Sequence, residues 1–423
     1  MTHLSSTIST GRRPAPLLAM ESVQRFFLWL MIASGFVVII EPAPYEVLFA
    51  ISLLLFLAGG MQVSMVFGPM IAFLALYNIG GFLSVMPILY DAKAKMFVYI
   101  SVYMAITSIF FAMAVLRAPM PILAVIRSAW IFAGVIAAIN GMIGYFNVFG
   151  MGDAWAPISR AQGMFKDPNV LSTFLIAPFV FLVQDIVVLK RGWAFLRLLA
   201  LIIIAGGLFL AFSRGAWMNA IAATAMMIGL SFLLTKSMAL RGRIILYVVA
   251  GVIAFGLLIS IALSIEKVRE IFLLRFSLNQ SYDVGETGRF GRQLNSLSEL
   301  VALPNGYGPL QFGRIWGEDA HNVFLNAFSS YGWLGGFSYL LLIFSTIGIM
   351  WRAIFTSTPW QHHAIAVNAV LLPTILQGVQ IDTDHWRHFY ILLGLSWGLY
   401  AATVEHGPAM AQTELRGMTR TAM

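Results

Sequence analysis

The sequence predicts an all-α polytopic membrane protein with about twelve transmembrane helices and one large, partly helical loop on one side. Three observations carry that prediction. Of 423 residues, 60% are hydrophobic and only 10% charged, the balance of a chain that lies mostly in lipid. Apolar runs recur along the chain, most near the roughly 20 residues that a helix needs to cross a bilayer. A single long polar stretch, 265–321, interrupts them.

The runs fall at about 26–40, 45–60, 68–89, 96–116, 122–148, 170–189, 194–212, 215–235, 244–264, 323–350, 362–381 and 389–404. The first two are short, and the tenth has a second possible start at Tyr331. Five regions follow: a tail over 1–23, nine helices over 24–264, the loop 265–321, three helices over 322–404 and a second tail over 405–423. The first stretch shows no small-residue cleavage signature after a short apolar core, so a removed signal peptide is not expected. Asp167 is placed to cap the sixth helix, with Pro168 at its first position. Apolar sequence from about Ala194 to Leu234 is too long for one crossing, so Ser213-Arg214-Gly215 is expected at a tight bend between two. Within the large loop, 288–303 reads as an amphipathic helix, with Leu294, Leu297, Leu300 and Val301 at helical spacing and Pro304 as its stop.

Orientation follows from the basic residues. With the N-terminus inside, the inner segments hold Arg12, Arg13, Arg25, Arg117, Arg127, Lys190, Arg191, Arg197, Lys236, Arg241, Arg243 and Arg352, whereas "EPAPYE" and "DAKAK" outside together carry three acids and two lysines. Positive-inside therefore puts both tails in the cytosol. The net charge of +8 belongs to that bias rather than to nucleic-acid binding. The absence of cysteine excludes disulfides, thiolate nucleophiles and cysteine-based metal sites.

Four polar segments far apart in sequence then share the outer face. "ISRAQGMFKDPN" brings Arg160 and Lys166; "SRGA" brings Ser213 and Arg214. The large loop brings Arg289, Arg292, His321 and Asn322, and "DTDHWRHF" brings Asp382, Asp384, His385 and Arg387. A guanidinium pinned at a helix N-terminus suits an anion such as phosphate; a snorkelling anchor is the plainer alternative for Arg214. The two carboxylates and the histidines of the last segment raise a divalent-metal reading. No other acid-rich segment with ligand-like spacing supports it, so an ion-paired turn is expected and no metal site is assigned.

In this order, "GMFKDPN", "SRGA", "TGR", a proline and "GYG", "HN" opening a helix and "YGWLGG" within it resemble the O-antigen ligase/polymerase superfamily, over roughly residues 160–340. One departure is Gln293, where that family often carries an aromatic residue four positions after its loop arginine. The resemblance implies a GT-C-like fold in the bacterial inner membrane. It also implies an inverting, metal-independent glycosyltransferase with no cofactor, whose active site faces the periplasm. Its donor is a glycan on undecaprenyl diphosphate and its acceptor a saccharide hydroxyl, of lipid A–core for a ligase or of a lipid-linked repeat unit for a polymerase. By the same resemblance Arg214 and Arg289 bind the diphosphate and His321 is the base. The shared outer face adds Arg160, Lys166 and Arg387 as further cations, Asp382 and Asp384 as alternate bases, and Ser213, Arg292, Asn322 and His385 in support. The ligase is the first expectation and the exopolysaccharide or O-antigen polymerase its runner-up. From another class, a lipid-linked saccharide transporter or flippase stays open, because glycine-rich helices can be broken near mid-bilayer.

Overall fold

Each apolar run contains a helix, although the first is helical only to Ala33, and the polar connectors between them collect at two ends of the bundle. The structure is a computed structural model that describes residues 15–189, 192–276, 285 and 288–421. Residues 1–14 of the expected N-terminal tail, Lys190 and Arg191 of the orientation count, and 277–284 with 286–287 of the large loop lie outside the described residues. The first helices are α1 (Ala15–Ala33), α2 (Pro44–Ala58), α3 (Gly68–Val85), α4 (Ala92–Arg117), α5 (Pro119–Tyr145) and the short α6 (Gly152–Trp155). Then come α7 (Pro168–Gln184), α8 (Ala194–Leu210), α9 (Arg214–Leu234) and α10 (Met238–Leu263). The large loop contributes α11 (Glu266–Phe276), α12 (Arg289–Leu300) and α13 (Phe312–Trp316), and α14 (Val323–Phe355), α15 (Gln361–Gln377) and α16 (Arg387–Thr421) close the chain. The described regular structure is entirely helical.

Among the described residues, seven helical stretches are long and apolar enough to cross a membrane, as a polytopic membrane protein requires. They are α4, α5, α9, α10, α14, and α3 and α7 with their short extensions; α2 and α8 are apolar but shorter. The main packing pairs are α3 with α14, α4 with α16, α9 with α15 and α5 with α8. Contact between α3 and α14 depends on small residues: a Cβ on Gly80 would lie 2.6 Å from the Tyr331 carbonyl oxygen, so only glycine lets the two backbones meet there. α10 stands outside this core, with only 6% of its most apolar stretch buried by protein; its remaining surface suits lipid.

Hydrogen bonds sort the connectors into two faces. On the first, Val38 donates its N–H to the Met164 carbonyl at 3.1 Å, Ala161 to Leu210 at 3.0 Å, Lys267 Nζ to Tyr145 at 3.1 Å and Ser84 Oγ to Asn305 at 2.6 Å. Arg314 pairs with Asp91 there at 2.7 Å. On the opposite face Gln24 bonds the Leu55 carbonyl at 2.8 Å, Gln184 bonds that of His362 at 2.6 Å and Ser64 bonds Glu405. The large loop therefore shares its face with the 34–43, 86–91, 146–167, 211–213 and 378–386 connectors.

α14 carries a break that the second possible start at Tyr331 foreshadowed. Gly332 has φ +65° and ψ −169°, a conformation essentially reserved for glycine. A side chain there would also strike the Pro304 carbonyl, 2.4 Å from an ideal Cβ. The large loop thus seats directly on the break, where Trp333 donates its N–H to Pro304 O at 2.8 Å.

Candidate active site

The connector between α15 and α16 is the hub of the loop face. α15 stops at Gln377, and the Gly378 carbonyl accepts the N–H of Val323 at 2.8 Å. Asp382 accepts the N–H groups of His321 and Asn322, each at 3.0 Å. Asn322 then caps α14 itself, its Oδ1 accepting from Phe324 at 3.1 Å and Leu325 at 3.2 Å. Five consecutive backbone donors at this helix start are thereby satisfied. This N-terminus is consequently built to hold His321 in place, not to receive an anion.

Two other helix starts meet the same connector. The Ser213 hydroxyl caps α9, accepting from Ala216 N at 3.4 Å, and Arg214 is the first helical residue. Phe212, with φ +46°, makes the turn from α8, which confirms the tight bend expected there. The side chain of Gln377 lies against Gly215, 3.2 Å from an ideal Cβ. α12 begins at Arg289 with no side-chain cap, and Arg289 Nη1 approaches the Gln380 carbonyl at 3.4 Å. Gln380 in turn donates its N–H to the Gln377 carbonyl at 2.8 Å. A cation at the first position of a helix opposes the positive end of the helix dipole. Both arginines open helices that meet this connector, and their charge is of the sign that holds an anion.

His321 is gripped from both sides. Asp382 holds its backbone, while α12 holds the residues before it: Gln293 Nε2 bonds the Ala320 carbonyl at 2.7 Å and Arg292 Nη1 that of Trp316 at 3.1 Å. Arg292 also pairs with Glu318. The backbone of His321 is left-handed, φ +46°, a conformation costing about 1–3 kcal/mol for a residue other than glycine. Its ring is 35% exposed, with Nε2 3.5 Å from Glu318 Oε1. The imidazole is therefore reachable from solvent and backed by a carboxylate.

The two aspartates of the connector do different work. Burial, then the charge of Asp384, raises the Asp382 carboxyl to about 7, against the two backbone donors that lower it. Asp384 is buried; its Oδ2 accepts from Asn326 Nδ2 at 3.0 Å and lies 3.1 Å from His385 Nδ1. His385 Nε2 contacts the Phe97 carbonyl at 2.9 Å, and its ring packs on that of Phe97 at 3.8 Å. Burial works against the imidazolium of His385, yet the Asp384 charge and these hydrogen bonds shift it upward. Asp384 and His385 thus anchor the connector to α14 and α4.

Three further expected cations have partners in the scaffold. Arg160 is buried, with Nε on the Ala211 carbonyl at 2.8 Å and Nη2 on Asn169 Oδ1 at 2.9 Å, so it clips the 156–167 connector to the α8–α9 turn. Lys166 pairs with Glu41. Arg387 pairs with Glu46 and lies 4.5 Å over the Tyr45 ring. The last two tie the α1–α2 connector down. Asp167 caps α7 as expected, accepting from Asn169 N at 2.6 Å.

A polar network behind Arg214 has no counterpart in the sequence motifs. Asn219 Nδ2 bonds Thr374 Oγ1 at 3.1 Å and Gln377 Oε1 at 2.7 Å, and Gln377 Nε2 reaches Thr173 Oγ1 at 3.3 Å. Thr173 bonds the Asn169 carbonyl at 2.9 Å. These residues fix α9 to α15 and α7 just below the turn. Glu318 was likewise unmarked by any motif. No protein-family model matches the chain, and no curated protein is significantly similar to it.

Proposed function

We propose that the chain is a membrane glycosyltransferase acting at its loop face, with an undecaprenyl-diphosphate-linked glycan as donor and a saccharide hydroxyl as acceptor. The observation that carries this reading is the pair of arginines, Arg214 and Arg289, each opening a helix at the connector that also holds His321. On this reading the two guanidiniums and the two helix starts stabilise the diphosphate as it leaves. The acceptor oxygen attacks the anomeric carbon from the opposite side, the carbon–oxygen bond to the diphosphate breaks, and configuration inverts. The proton of the acceptor hydroxyl passes to His321. The products are the glycosylated acceptor and undecaprenyl diphosphate.

The resemblance of the motifs supplies the donor class, a GT-C-like fold with twelve crossings, and the bacterial inner membrane with the loop face in the periplasm. Within it we favour the O-antigen ligase, with a lipid A–core acceptor, over the polymerase, which would use the same donor chemistry. A transporter or flippase draws on the break at Gly332. Coupled transport, however, draws on charges within the membrane, whereas Arg214, Arg289 and His321 stand at helix starts on one face. Purified protein incubated with a lipid-diphosphate glycan and each acceptor tests the reading. A glycosylated acceptor supports it; donor movement across a vesicle without transfer supports the transporter.

A further inference from the structure

α12 is amphipathic in the reverse sense. Leu294 and Val301 are 70% and 71% exposed, with Phe290 and Leu297 on the same stripe at 52% and 50%. On the other side Ser296 is fully buried, and Leu300 packs in a small cluster with Phe312, Ala320 and Leu325. The polar residues Arg292 and Gln293 are the ones that bond to the protein. A loop helix in water turns its apolar stripe inward; this one turns it outward.

The height of the helix identifies what covers the stripe. Trp333 donates its indole N–H to the Leu300 carbonyl at 2.9 Å. It also starts the unbroken part of α14, which runs from the break at Gly332 to Phe355. At 1.5 Å per residue that part measures roughly 34 Å, the span of one hydrocarbon core with its margins. Trp333 therefore stands at the membrane boundary, where indoles concentrate, and the end of α12 stands beside it. The chain segment 277–284, "SLNQSYDV", is mostly polar and poorly matched to four large apolar side chains.

We propose that α12 lies in the headgroup layer of the loop-face leaflet, with Phe290, Leu294, Leu297 and Val301 among the upper acyl chains of phospholipid. Arg289, at the start of the same helix, is thereby fixed at the depth of a lipid phosphate. The inference needs no part of the catalytic reading, and its test reads depth, not turnover.

Because the chain has no cysteine, single substitutions Leu294→Cys, Leu297→Cys and Asn295→Cys can carry an environment-sensitive nitrobenzoxadiazole label. Val301→Cys replaces either stripe variant that fails to fold. The labelled proteins go into nanodiscs of phosphatidylcholine and phosphatidylglycerol, with or without brominated acyl chains. Stripe labels should be quenched severalfold by bromolipid and little by aqueous iodide, and the Asn295→Cys label the reverse. Iodide quenching of the stripe labels would place it in water and overturn the proposal. Protection from both quenchers would overturn it too, by showing a protein cover, either residues 277–284 or a second copy.

Discussion

Asp382 Oδ2 accepts the backbone N–H of His321 at 3.0 Å while its Oδ1 takes that of Asn322 at the same distance. Both oxygens are thus engaged on the main chain of the candidate base. Asp382 is thereby a positioning residue for His321, and on the proposed reading the imidazole accepts the proton.

His321→Asn separates these roles, since asparagine tolerates the left-handed backbone but cannot accept a proton near neutral pH. Transfer should fall by about 10²–10⁴, with donor binding and thermal midpoint unchanged. A chelator should leave the wild-type rate intact. Normal turnover by the Asn variant would reduce His321 to scaffold.

Arg214→Lys and Arg289→Lys keep the charge but lose the planar fork that matches phosphate. Losing one contact to a developing anion costs about 2.7–4 kcal/mol, or roughly 10²–10³ in rate. Lys166→Ala breaks an exposed pair with Glu41 and should cost no more than about 1 kcal/mol of stability, with transfer unaffected. Equal loss of transfer in Lys166→Ala and Arg289→Lys would give the two cations the same role.

The raised Asp382 carboxyl gives a pH signature. Folded protein keeps this proton above the pH at which the unfolded chain releases it, so the carboxyl favours folding below the ordinary carboxylate range. That contribution is lost as pH rises through about 7. The thermal midpoint should decline over that window, and Asp384→Asn, which removes the neighbouring charge, should move the decline to lower pH. An unmoved profile in Asp384→Asn would dissociate the two carboxyls.

Faces can be tested directly. Asn295 and Lys236 are both exposed, on α12 and just before α10. Cysteines placed there should react oppositely with an impermeant thiol reagent in cells whose outer membrane has been made permeable. Equal reaction would undo the two-faced arrangement and the orientation drawn from Arg and Lys.

Helix positions were legible because bilayer thickness sets the length of an apolar run, and the ends were legible from side-chain chemistry. Asp167, Ser213 and Asn322 each cap the helix that follows. Partners were not legible. Arg160, Lys166 and Arg387 look alike in sequence to Arg214, and only the fold brings Glu41 to Lys166 and Glu46 to Arg387, 125 and 341 residues away. Asn219, Thr374, Gln377 and Thr173 are single polar residues inside apolar runs, so nothing local pairs them. For α12 the periodicity gave four apolar positions, but periodicity carries no sign: Leu294, Leu297 and Val301 face away from the protein, and Leu300 packs inward.

The three-residue turn from α8 to α9 sets a reading frame for everything beyond it. One residue inserted at 211–213 would rotate α9 by about 100°, turning Asn219 away from Gln377 and Arg214 away from the connector. The Arg160 clip holds the Ala211 carbonyl of the same turn. Substitutions here alter one contact at a time; a change of length would undo all of them together. Insertions and deletions should therefore be absent from this corner in functional variants, even where its side chains have drifted.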